Sequence, residues 1–544
     1  MSIRGNGWWA APAGVVAAGA GLALAELVAA WVDPASSPVL GLGGVVVDSV
    51  PPWLKDFAVE WFGTADKLVL LSTMGVVLAV GAALSGWLEL RRPPTGRVLL
   101  GAVGVVMAFV AATRPEATPL WAVPAVVGVG AAVVLLRLLV ARVPAPATAA
   151  AAPVAAGGTG PAPAGEADAG TPAGTPTGTP TDTAAETGAS RRTFLVWAGA
   201  TAVGGVLALA ASRTLAAGSR AVEVVREAIR LPGAATPAPA VPSGADLGVE
   251  GLTPYVTPNP DFYRIDTALR VPKVDPATWS LRVTGLVDEP FEISWDELLD
   301  LPMTEHHVTL CCVSNQVGGD LIDNALWLGY PVRELLARAG PQADADMVLS
   351  SSVDGWTAGT PLEALTDPDR EALLAIGMNG EPLPEEHGFP ARLVVPGLYG
   401  YVSATKWVTE LKVTRFADDE GYWTPRGWSA RGPVKLHSRI DVPRPGTPLE
   451  PGPVTLAGVA WAQHTGIAGV EVRVDDGDWM PAELADTVGP DTWRQWRYVW
   501  DATAGDHTVL VRATDTDGQV QTEEEAPPAP DGATGHHSFG LFVG

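Results

Sequence analysis

Cysteine is nearly missing from this chain. Two of its 544 residues carry a thiol, Cys311 and Cys312, and they are neighbours. Adjacent Cα atoms sit closer than an unstrained disulfide wants, which excludes an ordinary loop-closing bridge. No CxxC and no further cysteine is present, so the spaced ligand sets of structural zinc and iron–sulfur centres are excluded too. Histidine is almost as scarce: of eight, none precedes His306. Intramembrane haem b takes histidines from facing helices, so no haem is expected in the N-terminal region. Positive charge is short as well, 35 Lys and Arg against 60 Asp and Glu for a net charge of -25. That balance argues against nucleic acid as a partner and fits a solvated extracytoplasmic domain.

Apolar residues are plentiful, 47% of the chain. They gather into runs at 11–32, 68–88, 98–113 and 118–140, each near the roughly 20 residues needed to cross a bilayer. These predict a four-helix transmembrane region over 1–142. Arg91, Arg92 and Arg97 follow the second run and Arg137 and Arg142 end the fourth, whereas the first loop carries Asp33, Asp48, Asp56, Glu60 and Asp66. The positive-inside rule then puts the N-terminus in the cytoplasm. Glu26 interrupts the first run, either as a functional intramembrane carboxylate or as a neutral hydrogen-bonding group between helices.

Residues 143–189 are Ala, Pro, Thr and Gly, with too little apolar surface to offset the entropy of ordering, and are expected to form a disordered linker. SRRTFLV (190–196) with the apolar run to Ala211 matches a twin-arginine export signal placed internally, so 190–215 is expected to be a fifth transmembrane helix. The bland alternative is that Arg191 and Arg192 merely anchor that helix. A second linker is expected over 216–250. From about Gly452 the alternation of Val470, Val472 and Val474, of Trp496, Tyr498 and Trp500, and of Val509, Val511 and Ala513 predicts half-buried strands. At this spacing they predict a β-sandwich of immunoglobulin type, assigned to 444–544.

The cysteines lie in HHVTLCCVSNQVGGD, His306 to Asp320. A strand-like run, Val308 to Leu310, leads through the cysteines into a polar loop with Ser314, Asn315, Gly318 and Gly319, and a helix is expected from Pro331 to about Ala339. On the residues alone the thiols have three readings: one thiolate for a metal held mostly by other groups, a nucleophile, or two buried small hydrophobes. His306 and His307 face opposite sides of a strand, which favours a structural role over a shared ion. Trp356, Trp407, Trp423 and Trp428 are expected as core and cleft wall.

The run TLCCVSN, with FYRID (262–266) before it and HGFPARLVVPGLYGYVSATKW (387–407) after it, resembles the sulfite oxidase family of molybdopterin enzymes. The likeness extends from roughly Thr253 to the C-terminus. It implies an α+β molybdopterin-binding oxidoreductase domain over 251–443, with a molybdenum-molybdopterin cofactor and Cys312 as the metal's thiolate. Cys311 falls on the variable position. Arg264 matches the arginine of the family's FxRNH motif, which reaches the anion pocket beside the metal. Asn259, Asn315, Asp354, His387, Arg392 and Lys406 are the implied cofactor contacts, and Tyr422 stands roughly where the family has an active-site tyrosine. The C-terminal domain resembles the family's dimerisation unit, which implies a homodimer.

Two departures bear on substrate. Asp266 replaces the histidine two after Arg264, and Gln316 and Val317 replace the family's arginine pair, so positive charge around an oxyanion is reduced unless Arg426 or Arg431 supplies it. The resemblance implies oxygen-atom transfer on a small oxyanion or sulfur-containing substrate, with electrons passed to a separate partner. A sulfoxide-type reductase of the same fold is the alternative enzyme. A cofactor-free envelope binding module is the alternative of another class.

Overall fold

The computed structural model describes residues 7–49, 66–114, 117–143, 183–215 and 219–544. They fall into two compact units, one helical and ending at Leu215, the other running from Ser219 to Gly544. Most of the expected 143–189 linker lies outside the described residues.

Among the described residues of the helical unit, five segments are long and apolar enough to cross a membrane: Trp9–Val32, Val69–Arg91, Thr95–Ala112, Pro119–Val140 and Arg192–Ser212. Glycine and alanine let these helices approach closely. A Cβ on Gly14 would run into the Ala82 carbonyl, and one on Gly21 would meet that of Gly128. Outward valines and phenylalanine, among them Val76, Val105 and Phe109, are left exposed, as lipid-facing positions would be. Glu26 accepts a hydrogen bond from Ser37 Oγ at 2.7 Å, a polar tie between the first helix and the turn that follows it. Buried Glu89 takes both the backbone N–H and Nε of Arg97, at 3.0 and 2.7 Å. Two elements differ from expectation. A short apolar helix, Pro38–Ser49, occupies part of the acidic first loop, and the last helix begins at Thr183 instead of 190.

The second unit begins with a helix, Ser219–Ala228, where a linker was expected. The chain that follows is strapped down as well. Ala235 donates to Met303 O at 2.8 Å, and Gly244 accepts from Asp486 N–H at 2.9 Å. Ala245 is fully buried, and Leu247 N–H donates to Gln495 Oε1 at 2.8 Å. Ala- and Pro-rich composition masks this docking, because small side chains can be buried by backbone pairing without an apolar pattern.

Two sheets build the next layer, the first mixed and the second antiparallel. One runs in the order Phe291–Ser294, Ser280–Gly285, Val408–Thr414, Met347–Ser352, Thr357–Pro361, with a parallel pair between the second and third strands. The other runs Thr304–Cys311, Ile322–Pro331, Leu373–Met378, Glu381–Pro382, with Arg392–Val394 also pairing to Leu373–Met378. The helix Trp295–Leu299 starts in a capping box of Ser294 and Glu297. The helix Val332–Ala339 ends on Gly340 at φ 67, a left-handed stop that favours glycine.

Two antiparallel four-stranded sheets follow. The strands at 470–474, 496–500 and 509–513 lie within Ile467–Val474, Arg494–Ala502 and Gly505–Asp515. Leu456, Val472, Trp496 and Val511, contributed by both sheets, share one core. The first strand of this region is His437–Val442, paired to Gly452–Trp461, so the β region starts before the expected 444.

Candidate active site

Strand periodicity separates the two cysteines. Val308 and Leu310 of Thr304–Cys311 enter a core with Phe262, Ala325 and Trp327. Cys311 points into a different one, with Tyr255, Ile322, Tyr399 and Trp461. Cys312 stands just past the strand end. Its N–H donates to Leu321 O at 2.9 Å, its carbonyl accepts from Asn315 N–H at 3.0 Å, and Asn315 Oδ1 takes the N–H of Leu321 at 2.9 Å. Asn315 therefore closes the loop. Gly318, at φ 76, makes the turn, and Arg439 Nη1 donates to Gly319 O at 2.7 Å, so the β region also holds the loop.

Around the Cys312 thiol the chain gathers basic groups from distant segments. Lys406 Nζ donates to Asp266 Oδ2 and to Glu386 O, both at 3.0 Å. Burial pulls its ammonium down to about 8, against the attraction of Asp266. Arg392 is buried at 4% exposure. Its guanidinium donates to three backbone carbonyls, Leu393 at 3.3 Å, His387 at 3.1 Å and Ala404 at 3.5 Å, and burial lowers it to about 10. His387 is 2% exposed, and burial with the charges of Lys406 and Arg392 drives it to about 3, so it is neutral. Its Nε2 lies 3.3 Å from Asn259 O, which places the proton on Nε2 and leaves Nδ1 as an acceptor. Burial pushes the Cys312 thiol up, while hydrogen bonds from Ser314 and the charge of Lys406 pull it down.

Asn259 braces this wall from behind, donating to Met378 O at 3.2 Å and Glu381 Oε1 at 2.5 Å. Arg264 is a third exposed on its side chain and is paired with Asp266 at 2.9 Å. Tyr422 is tied to the other sheet, its N–H on Thr357 O at 3.0 Å and the Arg426 guanidinium 3.7 Å above its ring. Asp354 sits in the hairpin turn after Met347–Ser352, where Oδ1 takes the Trp356 N–H at 3.2 Å. The structure thus brings together Cys312, Lys406, Arg392, His387 and Arg264, with Asn259 and Asn315 as braces.

Three groups were not singled out from sequence. Tyr263 is partly buried against the core of Phe262 and Trp327, and its phenol is held up by desolvation and by Cys312 and Cys311. Asp323 accepts the Tyr263 N–H at 2.6 Å and Thr257 Oγ1 at 3.0 Å; burial raises it to about 6. Tyr399 packs beside Cys311. A lone acid in the otherwise apolar strand IDNALWLGYP was the signal for Asp323. The two histidines do diverge: His306 Nε2 pairs with Asp491 Oδ2 at 2.8 Å, whereas His307 is buried and pulled down by burial. Trp407 is fully buried, with Nε1 on Glu385 O.

These residues fit an anionic, metal-bearing group. Among the described residues no carboxylate pairs with Arg392, and a buried guanidinium with only neutral acceptors favours an anion. The thiol stands close enough to feel Lys406, and no set of three or more His, Cys, Asp and Glu able to hold a metal exists among the described residues. A metal here would bring most of its ligands with it.

Comparison with known proteins agrees. Residues 268–423 match the family described as Oxidoreductase molybdopterin binding domain; Asn259 and Arg264 precede that match. Human mitochondrial sulfite oxidase is 32% identical over 335 residues, covering 53% of this chain and 61% of that protein. An uncharacterized oxidoreductase of Bacillus subtilis, YuiH, is 35% identical over 158 residues, covering 29% of this chain and 76% of that protein. The solved sulfane dehydrogenase SoxCD of Paracoccus pantotrophus superposes at a TM-score of 0.47 with 24% identity, covering 54% of this chain and 82% of that one. The chain spans 61% of the length of the mammalian sulfite oxidases.

Proposed function

Since the chain belongs to the sulfite oxidase family of molybdopterin oxidoreductases, we propose that it is a membrane-tethered enzyme of oxygen-atom transfer. In this reading its catalytic domain works outside the cytoplasm and exchanges electrons with a separate partner. The observation that carries the site is the Cys312 thiol in the field of Lys406, with the buried Arg392 acting on Lys406 and His387 in the same cluster. When bound, molybdopterin supplies a molybdenum centre that exchanges one oxygen atom with substrate for two electrons. Cys312 would hold the metal through sulfur. Arg392 would hold the anionic part of the cofactor, with Lys406, already balanced by Asp266, beside it, and His387 Nδ1 offers an acceptor to the pterin edge. The loop closed by Asn315 and Arg439 fixes the thiol before the cofactor arrives, so little ordering entropy is lost on binding.

In the oxidase direction sulfite gains an oxygen from water, releasing two protons and two electrons. In the reductase direction a sulfoxide takes up two protons and two electrons and yields a thioether and water. Asp266 favours the second, because it sets a carboxylate where a dianion would bind. The tether rests on the five apolar helices, and the outward placement on loop charge and on Arg191 and Arg192. Purified full-length protein should contain about one molybdenum per chain and release a fluorescent oxidised pterin. Folded protein with neither would leave the binding-module reading.

A further inference from the structure

We propose that Asp266 sets the substrate class of this centre: by engaging Arg264 and Lys406 it closes the site to dianionic oxyanions and leaves it open to neutral sulfoxides. The inference rests on the oxygen-transfer reading above. The Asp266 side chain is 7% exposed, with Oδ2 at 2.9 Å from Arg264 Nε and 3.0 Å from Lys406 Nζ, and Oδ1 at 3.4 Å from Arg264 Nη2. One carboxylate thus occupies the donors of two cations.

A sulfite or sulfate ion entering here would have to displace a buried carboxylate or lie against it. Like charges repel strongly where water is excluded. Replacement donors are committed elsewhere. Arg392 is the cation assigned above to the anionic part of the cofactor, His387 is uncharged, and Arg426 and Arg431 lie over the rings of Tyr422 and Phe416 at 3.7 and 5.1 Å. A neutral S=O oxygen asks for less. An ammonium has three N–H groups, and among the described residues Lys406 spends two, on Asp266 and Glu386 O. The third suffices for a single uncharged acceptor. In the resulting step the sulfur–oxygen bond of the sulfoxide breaks, and the oxygen leaves as water with two protons. Two electrons come from a one-electron donor protein, or in an assay from a reduced viologen.

The test uses detergent-purified holoenzyme and sulfate as the probe, followed by tryptophan fluorescence, since Lys406 Nζ lies 5.5 Å from the Trp407 ring. Wild type should show no saturable sulfate binding up to roughly 10 mM. Asp266→Asn should tighten sulfate binding by roughly tenfold or more and lower the KM for sulfite. Asp266→Glu, which keeps the charge, should bind sulfate as weakly as wild type. Reduced viologen should be oxidised by a neutral aryl methyl sulfoxide with wild type. Wild type binding sulfate as tightly as Asp266→Asn, or Asp266→Glu binding it equally tightly, overturns the proposal. If the Asn variant does not accumulate, the wild-type titration decides alone, micromolar sulfate affinity being the refuting result. Molybdenum-replete enzyme that turns over neither sulfite nor sulfoxide would defeat the oxygen-transfer reading, while the sulfate titration still reports on Asp266.

Discussion

Replacing each cysteine by serine separates the metal-ligand reading from the packing one, because the two sulfurs face different surroundings. Cys311 is 2% exposed among Tyr255, Ile322, Tyr399 and Trp461, and its Sγ lies 3.5 Å from Cys312 O. A serine hydroxyl there is smaller and must be desolvated, a cost of roughly 1–3 kcal/mol when nothing accepts it. The Cys312 carbonyl and the Asn315 side chain are at hand, so about 1–2 kcal/mol is expected. That is a fall of roughly 2–6 °C in the thermal midpoint of the holoenzyme. Turnover and the molybdenum(V) paramagnetic signal should be nearly unchanged. Cys312→Ser should do the reverse: an oxygen cannot replace the soft thiolate, so turnover is lost and the signal changes, while pterin content is kept by Arg392. An inert Cys312 with an essential Cys311 would shift the register of the whole site by one residue. Equal tolerance of both would remove the metal-ligand assignment.

Asp323→Asn should reveal a pH-dependent penalty. A carboxyl raised from 3.8 to about 6 binds its proton more tightly in the folded chain, so its stabilising contribution is present below about pH 4 and lost as pH rises through about 6. The wild type should therefore lose up to ~3 kcal/mol relative to the variant across that window, read as thermal midpoints; a constant difference from pH 4 to 7 would refute it. At Asp491, burial alone would raise the carboxyl, but hydrogen bonds from His306 at 2.8 Å and His464 at 3.1 Å outweigh it and hold it low. Asp491→Asn should cost roughly 1–3 kcal/mol at neutral pH, a cost that shrinks as acid protonates the wild-type carboxylate; denaturation at pH 7 with no loss would refute it. Replacing Arg191 and Arg192 by lysine should keep a reporter fused after Gly544 in the cytoplasm, whereas unchanged export would make this an ordinary helix.

Apolar run length carried the helical unit almost unaided, since a bilayer-length segment is hard to mistake for anything else. The helix Pro38–Ser49 was missed because Pro38, Gly41, Gly43 and Gly44 read as loop, and packing outweighs their weak propensity. Period-two alternation found the interior strands of the β region but not His437–Val442, whose His437, Ser438 and Arg439 are all buried and polar. Their burial is made tolerable by partners far along the chain, Ala533 O for His437, Gln521 for Ser438 and Gly319 O for Arg439, with the nearby Asp441 also pairing Arg439. The docking of 229–250 was hidden for a related reason, as its backbone groups find partners at Met303 and Asp486 that no local pattern announces.

The site shows the same division between residue type and pairing. Motifs placed Cys312, His387, Arg392 and Lys406 on the page, and the fold brings all four to one buried locus. What spacing could not say is which cations are still able to bind an anion. Arg392 and Arg264 both act on His387, yet among the described residues one donates to backbone carbonyls and the other to a carboxylate two residues away. That difference separates a group that can hold a cofactor anion from one already neutralised. Because Asp266 is the partner of both Arg264 and Lys406, this one carboxylate in FYRID turns a pair of positive charges into a balanced cluster, with Cys312 and Arg392 outside it. In the proposed reading substrate charge and cofactor binding fall to separate side chains, so changing Asp266 should alter anion affinity while molybdenum content stays constant.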